Sequence, residues 1–110
     1  KAECMWILLW AIKKIEELEL PTDEIQIGDF IELLPGFMVN SRHFIETSQL
    51  RDKSEILDQS DLLYRLHWAA KNDKSHELSI NRSMIQERHY AINWITCYEN
   101  LRWDEITTDT

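Results

Sequence analysis

The sequence predicts an all-α fold: a compact helical bundle of three main helices plus one or two short helices and a docked C-terminal tail. Three observations predict it. Good helix formers run for long stretches without interruption, and capping patterns stand at the starts of two of those stretches. The 110 residues hold only two Gly and two Pro, too few for a sandwich or barrel, which needs a turn signal every 8 to 12 residues or so. Apolar residues make up 44 % of the chain, enough for residues 1–110 to form a single helical domain with its own core and no disulfide or metal.

Residues 2 to 19 are predicted as the first helix, since no Pro or Gly intervenes before Pro21. Its first turns are apolar on every side, the pattern of a helix in the middle of a core. Its second half is amphipathic, with Ile15 and Leu18 inward and Lys13, Glu16 and Glu17 outward. Pro21-Thr22-Asp23 is a stop followed by a start, Asp23 and Gln26 resembling a capping box. Ile25 to Leu34 is weak, either a short helix interrupted by Gly28 or a β-like stretch, and a small hairpin somewhere in Ile25 to Val39 is the main alternative to an all-helical chain. Asn40 or Ser41 caps a further short helix through Thr47. Asp52 with Glu55 opens the clearest element, Lys53 to about Asn72, closed by Asn72-Asp73-Lys74-Ser75. Ser83 with Gln86 starts a last helix to about Tyr98, with entry from Asn81 as the alternative. The tail from Leu101 has no helical period, and Trp103 and Ile106 are its docking residues.

Twelve Lys and Arg against twenty Asp and Glu give a net charge of −8. That field repels phosphate backbones, so neither nucleic acid nor an anionic membrane surface is an expected partner. The apolar run from Cys4 to Ile12 is nine residues, too short to span a bilayer. Cys4 and Cys97 lie in apolar helical patterns without C-x-x-C spacing, which fits buried, reduced thiols and a cytoplasmic location better than a disulfide between them. Trp6, Trp10, Trp68 and Trp94 lie at or beside apolar stripes, so core packing is the expectation rather than an aromatic cage. Trp103 is the one whose burial does not follow.

Some charges fall where a helix should be apolar. On the helix of residues 53 to 72, Ile56, Leu63 and Ala70 fall together with Tyr64 and Leu66 beside them, and His67 lies among them; Asp61 and Arg65 form an outward pair four apart. On the last helix, Met84, Ala91, Ile95 and Tyr98 define an inward face whose span includes Glu87 and Arg88, while His89 falls outside it near Thr96. A charge on a core face costs several kcal/mol unless paired and hydrogen-bonded. His67, Glu87 and Arg88 are therefore the candidate polar cluster, with Glu3 as a fourth member beside Ile7 and Trp10.

Two roles compete for this cluster. One is a buried ion-pair network that registers the helices, with Asp104 or Asp109 of the tail tied to Arg88; this is favoured. The other is a cleft in which Glu87 and His67 act as acid and base and Arg88 binds an anion. No two of His43, His67, His76 and His89 have helical metal spacing, and no nucleophile elbow, phosphate loop or dinucleotide glycine pattern is present, so no metal, cofactor or catalytic residue is assigned.

The segments EILDQSDLLYRLHWA (55 to 69), ERHYAINW (87 to 94) and WDEITTDT (103 to 110) resemble a bacterial family of uncharacterised proteins, domain of unknown function forty-two seventy-two. The opening AECMWILLWAIKKIEEL is similar to that family's E-x-x-x-x-LLWALGKI segment, with Ile12-Lys13 where the family usually carries Leu-Gly. The resemblance implies that an N-terminal portion precedes Lys1 and covers some surface that is apolar here. It implies no activity, and it draws attention to Arg65, His67, Glu87, Arg88, His89, Trp103 and Asp104. The functional expectation is a non-enzymatic protein-interaction or structural domain, with a protein partner or a second copy as its ligand. The alternative is a small-ligand binder or hydrolytic enzyme using His67, Glu87 and Arg88.

Overall fold

The computed structural model describes residues 2–36, 39–73 and 80–110. Four α-helices follow one another: α1 (Ala2–Ala11), α2 (Arg42–Glu46), α3 (Lys53–Lys71) and α4 (Arg82–Ile95). Single 3₁₀ turns stand at Ile27–Asp29, Ile31–Leu33, Tyr98–Asn100 and Trp103–Glu105, and no strand occurs among the described residues. Gly28 therefore interrupts neither a helix nor a hairpin: the weak stretch from Ile25 to Leu34 is two 3₁₀ turns. Phe30, between them, is buried and packs its ring near Trp6 at 6.2 Å.

α4 is the central element and packs against both α1 and α3. One arc of it buries Met84, Arg88 and Ala91, and the next buries Ile85, His89 and Ile92. Two buried arcs are what a helix sandwiched between two others requires. α3 contributes Ile56, Leu63 and His67 from a single stripe, and α1 contributes Ile7, Leu9, Trp10 and Ala11 from a little over half its circumference.

The first helix ends at Ala11, well short of residue 19. Lys13 takes a left-handed backbone (φ 62°), with Lys14 N–H donating to the Leu9 carbonyl (2.9 Å) and Lys13 N–H to that of Trp10 (3.1 Å). These are the two bonds of a Schellman termination, in which a left-handed residue, usually Gly, turns the chain off the helix axis. Helix propensity favours continuing through Lys13 and Lys14, and tertiary packing overrides it, since leaving the axis there lets Ile15 and Pro21 enter the core. A side chain in the left-handed region costs about 1 kcal/mol. Lys13→Gly is accordingly expected to raise stability by about 0.5 to 1 kcal/mol once the greater freedom of Gly in the unfolded chain is deducted, read as a higher thermal midpoint.

α2 and α3 start at the expected cap positions, although neither the Ser41 nor the Asp52 side chain makes a capping bond. At α4 the cap is Asn81, whose Oδ1 accepts from Met84 N–H at 3.2 Å, and Ser83 lies inside the helix. Lys74 and Ser75, expected to close α3, and His76 lie outside the described residues. The last helix stops at Ile95 because Cys97 turns left-handed (φ 60°); Tyr98 is thus off the helix face assigned to it, and Cys97 is exposed rather than buried. The tail docks through buried Ile106, the Tyr90 hydroxyl donating to the Trp103 carbonyl, and Asn93 Nδ2 donating to the Thr107 carbonyl at 2.9 Å.

Of the tryptophans, Trp10 is buried and Trp6 half-buried. Trp68 and Trp94 are 54 % and 43 % exposed, contrary to the expectation of core packing. Trp68 falls on the solvent side of α3, one step around from His67. Trp94 stands beside Asn93 and Ile95 but faces Trp103, ring centres 5.5 Å apart.

Candidate functional site

Two buried polar contacts meet at consecutive residues of α4. Arg88 points toward α1. Its Nε donates to Glu3 Oε1 at 2.8 Å and its Nη1 to the Glu19 carbonyl at 2.7 Å, while Glu3 Oε2 accepts from Ile25 N–H at 2.8 Å. The two side chains are 2 % and 4 % exposed. The pair joins α1, the loop after it and α4 at one point, with every oxygen of the carboxylate used, which is the condition for a buried ion pair to persist.

His89, one residue and about 100° further round, points toward α3. Its Nδ1 lies 2.9 Å from His67 Nδ1, the rings perpendicular with centres 5.2 Å apart, and Tyr64 meets His89 edge-on at 6.1 Å. Burial is the main cause that lowers the His89 pKa, to about 4, with the His67 charge adding and Asp109 opposing. His67 is lowered too, first by burial and then by Lys71 and Arg82. Both rings are therefore neutral at pH 7. One carries its proton on Nδ1 and donates it; the other accepts there and carries its own proton on Nε2.

The expected cluster of His67, Glu87 and Arg88 thus separates. Arg88 is held by Glu3 and Glu19, His67 by His89, and Glu87 contributes its main-chain carbonyl to the Cys4 thiol at 3.2 Å. Glu87 and Arg88 line different cavities. Glu3 is Arg88's partner in place of Asp104 or Asp109: Asp104 lies 3.8 Å from Arg102, and Asp109 accepts from the Thr107 hydroxyl at 2.9 Å. Arg65 pairs with Asp61 on the surface at 3.0 Å, and Trp103 is 37 % exposed over Tyr90 and Trp94. His89 is buried, not outward. A single inward face leaves it outside, but Ile85, His89 and Ile92 repeat at four and three residues, and that second apolar stripe was the available signal. Burial pushes the Cys4 thiol pKa up, away from the range of a reactive thiolate.

Arg51 is a partly buried cation that local sequence does not mark. Its Nε donates to the Trp10 carbonyl (2.8 Å) and its Nη2 to those of Ile15 (2.8 Å) and Glu16 (3.2 Å), and the guanidinium lies over the Trp10 ring at 4.5 Å. It ties the C-terminal turn of α1, through the Trp10 carbonyl, to the chain that follows, through those of Ile15 and Glu16, and places a cation at the helix C-terminus.

Beside α1 runs an apolar groove of about 610 Å³. α1 and the residue after it line it with Met5, Leu8 and Ile12, the chain before α3 with Leu34, Phe44 and Leu50, and the end of α4 and the tail with Trp94, Ile95 and Leu101. Apart from Asn100 and Cys97, every lining side chain is hydrocarbon, thioether or indole. A second cavity, of about 650 Å³, lies over His89 and is lined mainly by residues with polar groups, Tyr64, Asn93, Tyr98 and Asp109 among them. Among the described residues no group of three or more His, Cys, Asp or Glu is placed to hold a metal ion, and no helix is long and apolar enough to cross a membrane.

A family model described as a domain of unknown function, DUF4272, matches residues 1–106. The chain belongs to this family. No function is assigned to the family by that description, and neither the curated proteins nor the solved structures contain a match. The matched span includes both polar contacts, Arg51 and the lining of the apolar groove.

Proposed function

We propose that this chain is a non-enzymatic protein-interaction domain that takes an apolar helical segment of a partner, with basic flanks, in the groove beside α1. The observation that carries the reading is α1 itself. A helix that is apolar all round belongs inside a core, yet Met5 and Leu8 on one face of it, with Ile12 just past its end, line an open groove. Those residues repeat at three and four positions, the spacing that a helix laid alongside would match. The net charge of −8 favours Lys or Arg at the ends of the guest segment through its effect on encounter and specificity.

The test uses two synthetic helical peptides with the same leucine stripe, one with lysines on its polar face and one with glutamates. Each is titrated calorimetrically into the parent chain and into Leu8→Glu, whose fold is checked by circular dichroism. The lysine peptide is expected to bind the parent at least about tenfold more tightly than the glutamate peptide, and Leu8→Glu to weaken it by a further factor of about ten or more, because each is a difference of about 1.4 kcal/mol or greater. Equal binding of the lysine peptide to Leu8→Glu would place it elsewhere on the acidic surface and overturn the reading. So would binding of a small apolar dye with no binding of either peptide.

A further inference from the structure

The His67–His89 contact lies apart from the groove and from the Glu3–Arg88 pair, and its geometry limits how many protons it can hold. With both rings neutral, one Nδ1–H points at the bare Nδ1 of the other across 2.9 Å. A third proton can be added on the far nitrogen of the donor ring, which becomes an imidazolium and keeps the same bond to its neutral partner. A fourth must go on the accepting Nδ1. Two N–H groups then face each other at hydrogen-bond distance, and two cations are buried side by side.

We infer that the His67–His89 contact is an acid-released latch between α3 and α4: it accommodates one added proton and parts when a second arrives. Release acts on this interface alone, since α4 is tied to α1 by a different pair on its other arc, Arg88 with Glu3. What opens is the apolar packing between the two helices, Ile92 of α4 with Ile56 and Leu63 of α3, all buried in one cluster.

The groups around the pair set the direction. Lys71 on α3 and Arg82 at the start of α4 bear on His67, and both oppose its protonation. On His89 the tail's Asp109 works the other way and favours the charged ring, and Asp61, Tyr64 and Tyr98 line the cavity over it. Burial outweighs the acids, so both imidazoles bind protons less readily in the closed contact than in the open one. A histidine whose closed-state pKa lies below its ordinary value stabilises the closed form above about pH 6.5 and withdraws that support as pH falls toward the closed-state value. For His89, lowered to about 4, the opening constant rises by up to about tenfold per pH unit over that interval.

Amide hydrogen exchange of the full chain at pH 6.8 and pH 5, corrected for the intrinsic rate, tests this. Protection of α3 is expected to fall by more than about tenfold while α1 keeps its own, and the double variant His67→Gln, His89→Gln, whose amides hydrogen-bond without titrating, is expected to abolish the difference. Equal loss in α1 and α3 would mean ordinary acid unfolding and would overturn the latch, as would unchanged protection of α3. If the double variant does not fold, histidine nitrogen NMR of the parent decides. One protonated and one bare Nδ1 at neutral pH, with both rings titrating below the usual value, support the latch; two rings titrating near 6.5 refute it.

Discussion

Glu3→Gln should be among the most damaging single changes in this chain, lowering stability by about 3 to 5 kcal/mol because it leaves the Arg88 guanidinium buried without a counter-charge. For a domain of this size that is a fall in the thermal midpoint of roughly 12 °C or more. The substitution keeps the shape of the side chain and a carbonyl oxygen to accept from Ile25 N–H, so the loss reports the charge and not a cavity. The double variant Glu3→Leu, Arg88→Met is expected to regain much of it, since apolar pairs of similar volume often replace buried ion pairs at little cost. It should not regain all. Ile25 N–H and the Glu19 carbonyl, which the pair now satisfies, would each lose a partner at about 1 kcal/mol or more. Thermal unfolding of the parent and the two variants at one pH and concentration checks the order. A Glu3→Gln chain as stable as the parent would show that the pair is not what joins α1 to α4.

Arg51→Ala is expected to cost about 2 to 4 kcal/mol, an effect that no sequence pattern around residue 51 announces. The side chain gives hydrogen bonds to three carbonyls at and beyond the end of α1 and covers the Trp10 indole. Bonds from a charged donor contribute about 1.5 to 3 kcal/mol each before the loss is shared among relaxed partners, and the stacking adds about 1. Arg51→Lys should recover only a minor part, because an ammonium cannot reach the Trp10 and Ile15 carbonyls with one planar fork while stacking on the ring. Denaturant unfolding of the three chains gives the ranking directly. Full rescue by lysine would reduce Arg51's role to that of a point charge near the helix end.

The helical class and most of its boundaries were legible in the chain because they depend on local rules: propensity without breakers, Ser41 and Asp52 at helix starts, and the stripe of Ile56, Leu63 and His67 on α3. Arg88 also stood out locally, since a cation on an apolar stripe has few ways to exist. Glu3 stood out too, as a charge beside Ile7 and Trp10, but the pairing between the two did not. Glu3 is 85 positions away, and which carboxylate reaches a buried guanidinium depends on how α1 crosses α4, which no local pattern encodes. His89 was misplaced for a related reason. A helix wheel ranks residues against one inward direction, whereas α4 lies between two neighbours and buries two arcs.

The end of α1 shows the same division most simply. Composition and propensity run helical through Lys13 and Lys14, and the one local cue against them is that the similar family segment carries Gly where this chain has Lys13. The sequence by itself determined that the chain is helical, acidic, rich in tryptophan and built around a nearly all-apolar first helix, because those properties follow from residue chemistry and spacing. Only the tertiary structure decided where α1 stops, which tryptophans face water, that Glu3 holds Arg88, that His67 holds His89 and that one face of α1 lies open in a groove. Each of these is a meeting between residues far apart in the chain, and its free energy exists only once the helices have packed.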